Sequence, residues 1–151
     1  MFCTLGCSRM ANVQGMGDER VQGIWDQTGI DSASLNGVKH HLKFTCDSFY
    51  MKLSVDARIN YFSDTCATDG KRVEFAKGVY AVQNDTLMLS GVYTKSNFKQ
   101  KISGCYNIGR YRHNFLMVEN NGTELTIRDL SNNQTFILGL QEKIICEPKA
   151  L

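Results

Sequence analysis

The sequence predicts an all-β domain, an antiparallel up-and-down β-barrel of about eight to ten strands. From Val21 onward, apolar residues alternate with polar residues at a period of two, which is the pattern of strands with one buried face. Turn sequences rich in Asn, Asp and Gly separate these stretches at intervals of about ten residues, so nearly every connection has hairpin length. A Greek-key sandwich would need longer crossings, and closure of the sheet removes exposed edge strands.

The clearest strand is SFYMKLSV, in which Phe49, Met51 and Leu53 share one face. It is preceded by KHHLKFTC and followed by TLMLSGVY, in which Gly91 allows a bend. The later strands are HNFLMVE, TELTIRDL and QTFILGL. A filled interior is slightly favoured over a ligand cavity, although barrels of about eight strands allow both, because the residues expected to point inward are large. They are Phe44, Phe49, Phe75, Leu87, Tyr93, Phe115 and Phe136.

Composition limits the function classes. A chain of 151 residues fits one domain, here residues 21–145, flanked by residues 1–20 and a tail at 146–151. Charged residues make up 21%, and a net charge of +2 is too small to indicate a nucleic-acid partner. No apolar stretch is long enough for a membrane-spanning helix. Turn sequences are expected at residues 83–85, 120–122 and 131–133.

The N-terminal sequence TLGC resembles the lipobox of bacterial lipoproteins. The resemblance implies that Cys7 is acylated, that residues 1–20 comprise a signal remnant and a flexible tether, and that more of the signal precedes Met1. Membrane contact would then occur through a lipid anchor only, in the periplasm or at the outer membrane of the cell envelope. An ordinary N-terminal segment is the alternative.

The only tryptophan follows a glycine in GIW, at the start of the first strand. This resembles the Gly-x-Trp element of the lipocalins and the wider calycin families. The resemblance implies that Gly23 and Trp25 close the narrow end of a barrel. It also implies that a basic residue from late in the chain, Arg128 or Lys143, packs on the indole. The long helix that follows the barrel in lipocalins has no counterpart here, and avidin-like barrels would need several tryptophans.

Four of the six cysteines are dispersed through the predicted barrel: Cys46, Cys66, Cys105 and Cys146. No C-x-x-C pair occurs, so the pattern allows up to two disulfides in an oxidising compartment or, alternatively, buried free thiols. The resemblance to lipocalin-like barrels implies a disulfide between Cys66 and Cys146. Cys46 and Cys105 then remain as a second pair or as two thiols.

Catalytic and metal-binding chemistry is not predicted. No hydrolase elbow, P-loop or zinc-protease motif is present. His40 and His41 are neighbours in a strand, so they point to opposite faces and cannot share a metal ion. We therefore expect neither an enzyme nor a cofactor.

The segment KSNFKQKISGCYNIGRYRH contains five cations and no acidic residue, with aromatic residues among them. If two strands meet in a hairpin near Ser103 and Gly104, these cations converge, which suits an anionic ligand. The candidate ligand-binding residues are Lys95, Lys99, Lys101, Arg110, Tyr111 and Arg112. We expect a non-enzymatic envelope lipoprotein that binds a small amphiphilic or anionic ligand at the barrel mouth. The alternatives are a filled barrel that docks another envelope component through its basic flank, and a merely solvated hairpin.

Overall fold

A computed structural model describes residues 17–30, 37–56 and 71–146. Cys7 and Cys66, and with them the predicted lipid anchor, lie outside these ranges. The described residues confirm the predicted class: eight antiparallel strands form a closed barrel in sequence order, with β1 pairing to β8. Within these ranges no helix has the length and hydropathy to cross a membrane. The strands are β1 Gly23–Ile30, β2 Gly37–Phe44, β3 Ser48–Asp56, β4 Lys71–Gln83, β5 Thr86–Thr94, β6 Arg110–Asn120, β7 Glu124–Asp129 and β8 Thr135–Lys143.

The alternation of the strands separates a packed interior from an outer wall. In β3, for example, Phe49 and Met51 are buried whereas Lys52 is exposed. Burial of one such side chain contributes about 1.5–3 kcal/mol, and the buried apolar side chains form one continuous core. The largest fully buried side chains are Trp25, Phe44, Phe49, Phe115, Leu42, Met51, Leu87, Leu89, Leu125, Ile127 and Leu138.

Phe75 is an exception to the predicted interior. Its neighbours Glu74 and Ala76 are the buried residues of this part of β4, so Phe75 lies on the outer wall. There its ring packs edge-on against Phe98, with 5.7 Å between the ring centroids. The prediction failed because a buried carboxylate, not an aromatic ring, occupies the inward position.

Strands β4 and β5 approach each other very closely at one point. Gly78 pairs with Gly91, and a Cβ atom on either residue would collide with the backbone of the opposite strand. The position at which a bend was expected, Gly91, is thus a close contact between two backbones. Such a contact requires glycine on both strands.

The predicted turns at residues 83–85, 120–122 and 131–133 each connect two strands, and each contains a residue with positive φ: Asn84, Gly122 and Asn133. The predicted hairpin near Ser103 and Gly104 is wrong. Strand β5 ends at Thr94 and β6 begins at Arg110, and in the long loop between them Gln100 forms an isolated bridge with Thr94.

The disulfide pattern differs from the one that the lipocalin resemblance implied. Cys46 is bonded to Cys146, with 5.6 Å between their Cα atoms. The predicted pair Cys66–Cys146 is therefore wrong, and so is Cys46–Cys105, since Cys105 is itself bonded in another disulfide.

The pairing of β1 explains why Cys46 and Cys146 meet. Gly23 pairs with Phe44 of β2 on one side and with Lys143 of β8 on the other. The chain segments that leave β2 and β8 therefore emerge next to each other at the end of β1, and a disulfide joins them there. Closure of the barrel creates this proximity. The sequence alone does not show which strands become neighbours of β1 on closure.

Candidate functional site

One end of the barrel is closed by the segment that contains the tryptophan. Trp25 is 1% exposed, and its indole N–H donates a hydrogen bond of 2.8 Å to the carbonyl of Val21, which is itself fully buried. Gly23 has a φ of +155°, and a Cβ atom there would lie 2.7 Å from the carbonyl oxygen of Glu142. The Gly-x-Trp spacing therefore combines a backbone position restricted to glycine with a buried indole.

The residue predicted to pack on the indole lies elsewhere. Trp25 pairs with Leu42 and Leu140, whereas Arg128 lies in β7, opposite Leu116 and Thr135. Arg128 also alternates with the buried Ile127 and Asp129, which places it on the outer wall. Its predicted packing on Trp25 is therefore wrong.

Lys143, the other candidate, lies at the closed end. It pairs with Gly23, and its ammonium group donates a hydrogen bond to the carbonyl of Glu19, in the turn that precedes β1. No cation of the described residues stacks on the indole. Lys143 therefore stabilises the turn before β1 and does not pack on the Trp25 indole.

Further hydrogen bonds hold the closed end together. The Tyr80 hydroxyl donates to the Thr45 carbonyl at 2.7 Å and accepts from the Gln22 amide at 3.2 Å. Arg20 contacts Asp18 at 3.0 Å, and it donates to a carbonyl in the turn between β4 and β5 at 3.0 Å. These bonds join the segment before β1 to β4 and to the turn after β4, and they join β4 to the turn after β2, so we expect no ligand to enter here.

The opposite, open end has an incomplete seam between β1 and β2. Their pairing stops at Asp26 and His41. Beyond that point the Gln27 side chain replaces the missing ladder: its amide N–H donates to the Val38 carbonyl at 3.0 Å, and its oxygen accepts from the His40 backbone N–H at 2.9 Å. Two backbone groups of β2 that lack a partner on β1 are thereby satisfied.

A cavity of about 1010 Å³ lies along this seam. Val38, Val55 and Val73 supply apolar surface, while cations and one carboxylate lie at its borders. The charged lining residues are Lys39, Lys71, Arg72 and Asp56. The volume is at the upper end of the range for sites that bind small molecules.

The lumen beside this seam contains polar side chains. His40 stacks on Phe136, with 4.1 Å between ring centroids, and its Nδ1 lies 3.0 Å from the Gln27 oxygen. Burial lowers the pKa of His40 to about 4, although Asp129 opposes that effect. His40 is therefore neutral at pH 7, with Nδ1 as the donor to Gln27 and Nε2 as an acceptor.

A second histidine faces the lumen from β6. His113 Nδ1 lies 3.2 Å from Oδ2 of Asp129, and Oδ1 of the same carboxylate accepts a hydrogen bond from the Ser131 hydroxyl at 2.6 Å. Burial would raise the pKa of Asp129, but these hydrogen bonds outweigh it and the pKa is lowered. The His113 side chain remains 31% exposed, so the open half of the lumen is accessible to solvent.

The loop at residues 95–109 borders the same open end. Asn107 donates from its backbone N–H and from its side-chain amide to one oxygen of Glu74, at 3.1 and 2.9 Å. The other oxygen of Glu74 accepts from Arg72 at 3.1 Å. Glu74 is 5% exposed, so this buried carboxylate ties the loop to β4.

The predicted ligand-binding residues do not form one cluster. Tyr111 is buried in the lumen, where burial raises the pKa of its hydroxyl, whereas Arg110 and Arg112 point outward from β6. Lys101 lies within the loop, where its ammonium group donates to the Cys105 carbonyl and lies 5.9 Å from the centre of the Tyr106 ring. The remaining two, Lys95 and Lys99, are exposed in the loop.

Comparison with known proteins adds no family assignment. No protein-family model matches the chain, no curated protein matches it significantly, and neither does a solved structure. The closed eight-stranded antiparallel barrel is compatible with a lipocalin-like fold. In the described part of the chain no cluster of three or more His, Cys, Asp or Glu side chains is arranged to hold a metal ion.

Proposed function

We propose that the protein is a non-enzymatic binding module that holds a small anionic amphiphile in the open half of its barrel. The observation that supports this proposal most strongly is the cavity of about 1010 Å³ at the β1–β2 seam. Its valines suit an acyl chain, and Lys39 and Lys71 suit a carboxylate or phosphate at the border.

The polar lumen is consistent with this proposal. A ligand that enters between β1 and β2 meets Gln27, His40 and His113, which offer hydrogen-bond donors and acceptors to its polar atoms. Phe136 and Tyr111 provide aromatic surface beside them. The packed half around Trp25 limits how deeply such a ligand can reach.

We also propose that the protein works in the bacterial cell envelope, anchored by a lipid on Cys7. The TLGC sequence and a disulfide between Cys46 and Cys146, which suits an oxidising compartment, support this proposal. A barrel that binds a hydrophobic molecule would then be held at the membrane surface.

Isothermal titration with dodecanoate, with dodecanol as its uncharged analogue, tests the binding proposal. Val38→Trp should abolish binding because the larger side chain fills the cavity, whereas Val118→Trp, at an exposed position near the closed end, should leave it unchanged. Replacing Lys39 and Lys71 with Ser should weaken dodecanoate binding about fivefold and leave dodecanol binding unaltered. Absence of binding for both amphiphiles, or equal binding by Val38→Trp, would contradict the proposal.

A further inference from the structure

The outer wall of β2 to β6 carries a row of alternating cations and apolar side chains. Lys43 pairs with Tyr50, Tyr50 with Lys77, Lys77 with Val92, and Val92 with Arg110. Because directly paired residues lie on the same face of a sheet, all five point outward. Neighbouring strands are about 4.8 Å apart, so successive cations of the row are spaced by roughly 10 Å.

The charge of this wall is strongly one-sided. Seven cations occupy its outward positions, against only Asp56 and Glu119, each at or next to the end of a strand. In the described part of the chain none of the seven forms an ion pair with a carboxylate. We call this surface the basic wall, and its cations are Lys39, Lys43, Lys52, Lys71, Lys77, Arg110 and Arg112.

The other side of the barrel has a different balance. Strands β7, β8 and β1 expose Asp26, Glu124 and Glu142 together with Arg128 and Lys143. The near-neutral net charge of the chain therefore conceals a barrel with one basic side.

Apolar side chains accompany the cations. Val79 is 60% exposed on β4, and the loop adds Ile102, which is 79% exposed. Phe98 of the same loop rests on the basic wall, with its ring 5.2 Å from Tyr50 and 5.7 Å from Phe75 between centroids. Cations combined with exposed aliphatic and aromatic groups fit a lipid–water interface better than a soluble polyanion.

We infer that the basic wall docks the barrel sideways onto an anionic phospholipid surface, with β4 at the centre of the contact, the long cationic side chains of β2 and β6 at its borders, and the loop at residues 95–109 entering the headgroup region. We choose a lipid surface as the partner because anionic headgroups complement the charge of the basic wall and the exposed Ile102 suits the apolar part of the interface. The basic wall meets the seam cavity only at Lys39 and Lys71, and the row from Lys43 to Arg110 lies away from it, so docking does not require a ligand in the lumen.

Co-sedimentation of the full chain, without added lipid modification, with vesicles tests the inference. Vesicles of phosphatidylcholine with about 30% phosphatidylglycerol should bind the protein, pure phosphatidylcholine should bind it weakly, and 0.5 M salt should release it. Each cation near the surface accounts for about a fivefold change in partitioning, so serine at Lys43, Lys77, Arg110 and Arg112 should lower binding more than 100-fold. A matched variant with Lys and Arg exchanged at these four positions keeps the charge and should bind like the wild type.

Thermal unfolding of each variant shows whether the barrel remains folded. Ile102→Ser should weaken vesicle binding without lowering stability, since Ile102 is 79% exposed. Binding that is equal on neutral and anionic vesicles, or unchanged in the fourfold serine variant, would overturn the inference. No vesicle binding together with tight binding to heparin would also overturn it, in favour of a soluble polyanion.

Discussion

His40 should make the barrel sensitive to mild acid. Its imidazole stacks on Phe136 inside the barrel, and burial lowers its pKa to about 4, against an ordinary value of 6.5. Between these values the unfolded chain binds a proton that the folded barrel does not. Stability must therefore fall as the pH drops through 6.5, and the loss is complete below pH 4.

The size of the effect follows from the two pKa values. A full shift of this size corresponds to about 3 kcal/mol, of which about 2 kcal/mol is lost between pH 7 and pH 5. The pKa of Asp129 is lowered below its ordinary value of 3.8, so its contribution is lost only at more acidic pH. The loss between pH 6.5 and pH 4 should thus depend mainly on His40.

Urea unfolding at pH 7, 6, 5 and 4 measures this loss. His40→Gln removes the titrating group, so the variant should show a much smaller decrease in the free energy of unfolding across the same range, whatever its stability at pH 7. His41→Gln is the matched control, because His41 is exposed on the opposite face of the same strand. If His40→Gln keeps the wild-type pH dependence, the assignment of the effect to a desolvated neutral imidazole at His40 is refuted.

Three further changes test other parts of the structure. Replacing Cys46 and Cys146 with Ser opens a loop with a sequence separation of 100, which should lower the free energy of unfolding by about 4–5 kcal/mol through chain entropy. A decrease below about 1 kcal/mol in urea unfolding would contradict that estimate. Gly91→Ala should destabilise by at least about 1–3 kcal/mol because its Cβ meets the β4 backbone, whereas Gly29→Ala, with its nearest neighbour at 3.5 Å, should be close to neutral in thermal melts. Mass spectrometry from the native host should find Cys7 acylated at a new N-terminus, and an unmodified Met1 would disprove the anchor.

The fold was predictable because its signals are local. Alternation along each strand determines which residues face inward, and Asn and Gly residues mark the short turns, such as the one at Asn84. The long loop at residues 95–109 was not predicted, because its conformation depends on contacts with residues distant in sequence. Asn107 bonds to Glu74, and Phe98 packs against Phe75. No pattern within the loop sequence reveals those partners.

The cysteine pairing failed for a related reason. The resemblance to lipocalins led to Cys66 as the partner of Cys146, but the bond that forms is dictated by which strands flank β1. Once β2 and β8 are both paired to β1, Cys46 lies beside the departing C-terminal segment. The proximity of Cys46 and Cys146 depends on which strands are neighbours after closure. No local sequence pattern reveals those neighbours.

The number of strands decides what meets across the lumen. In a closed barrel of eight, β2 and β6 lie opposite each other, so His40 and His113 face the same interior space and influence each other electrostatically. In a barrel of ten, β2 would face β7, and His113 would have a different partner. Alternation along β2 and β6 puts His40 on the face of Leu42 and His113 on the face of Phe115. A count of eight to ten strands left their encounter open, and the polar lumen on which the binding proposal relies follows only from the closed barrel of eight.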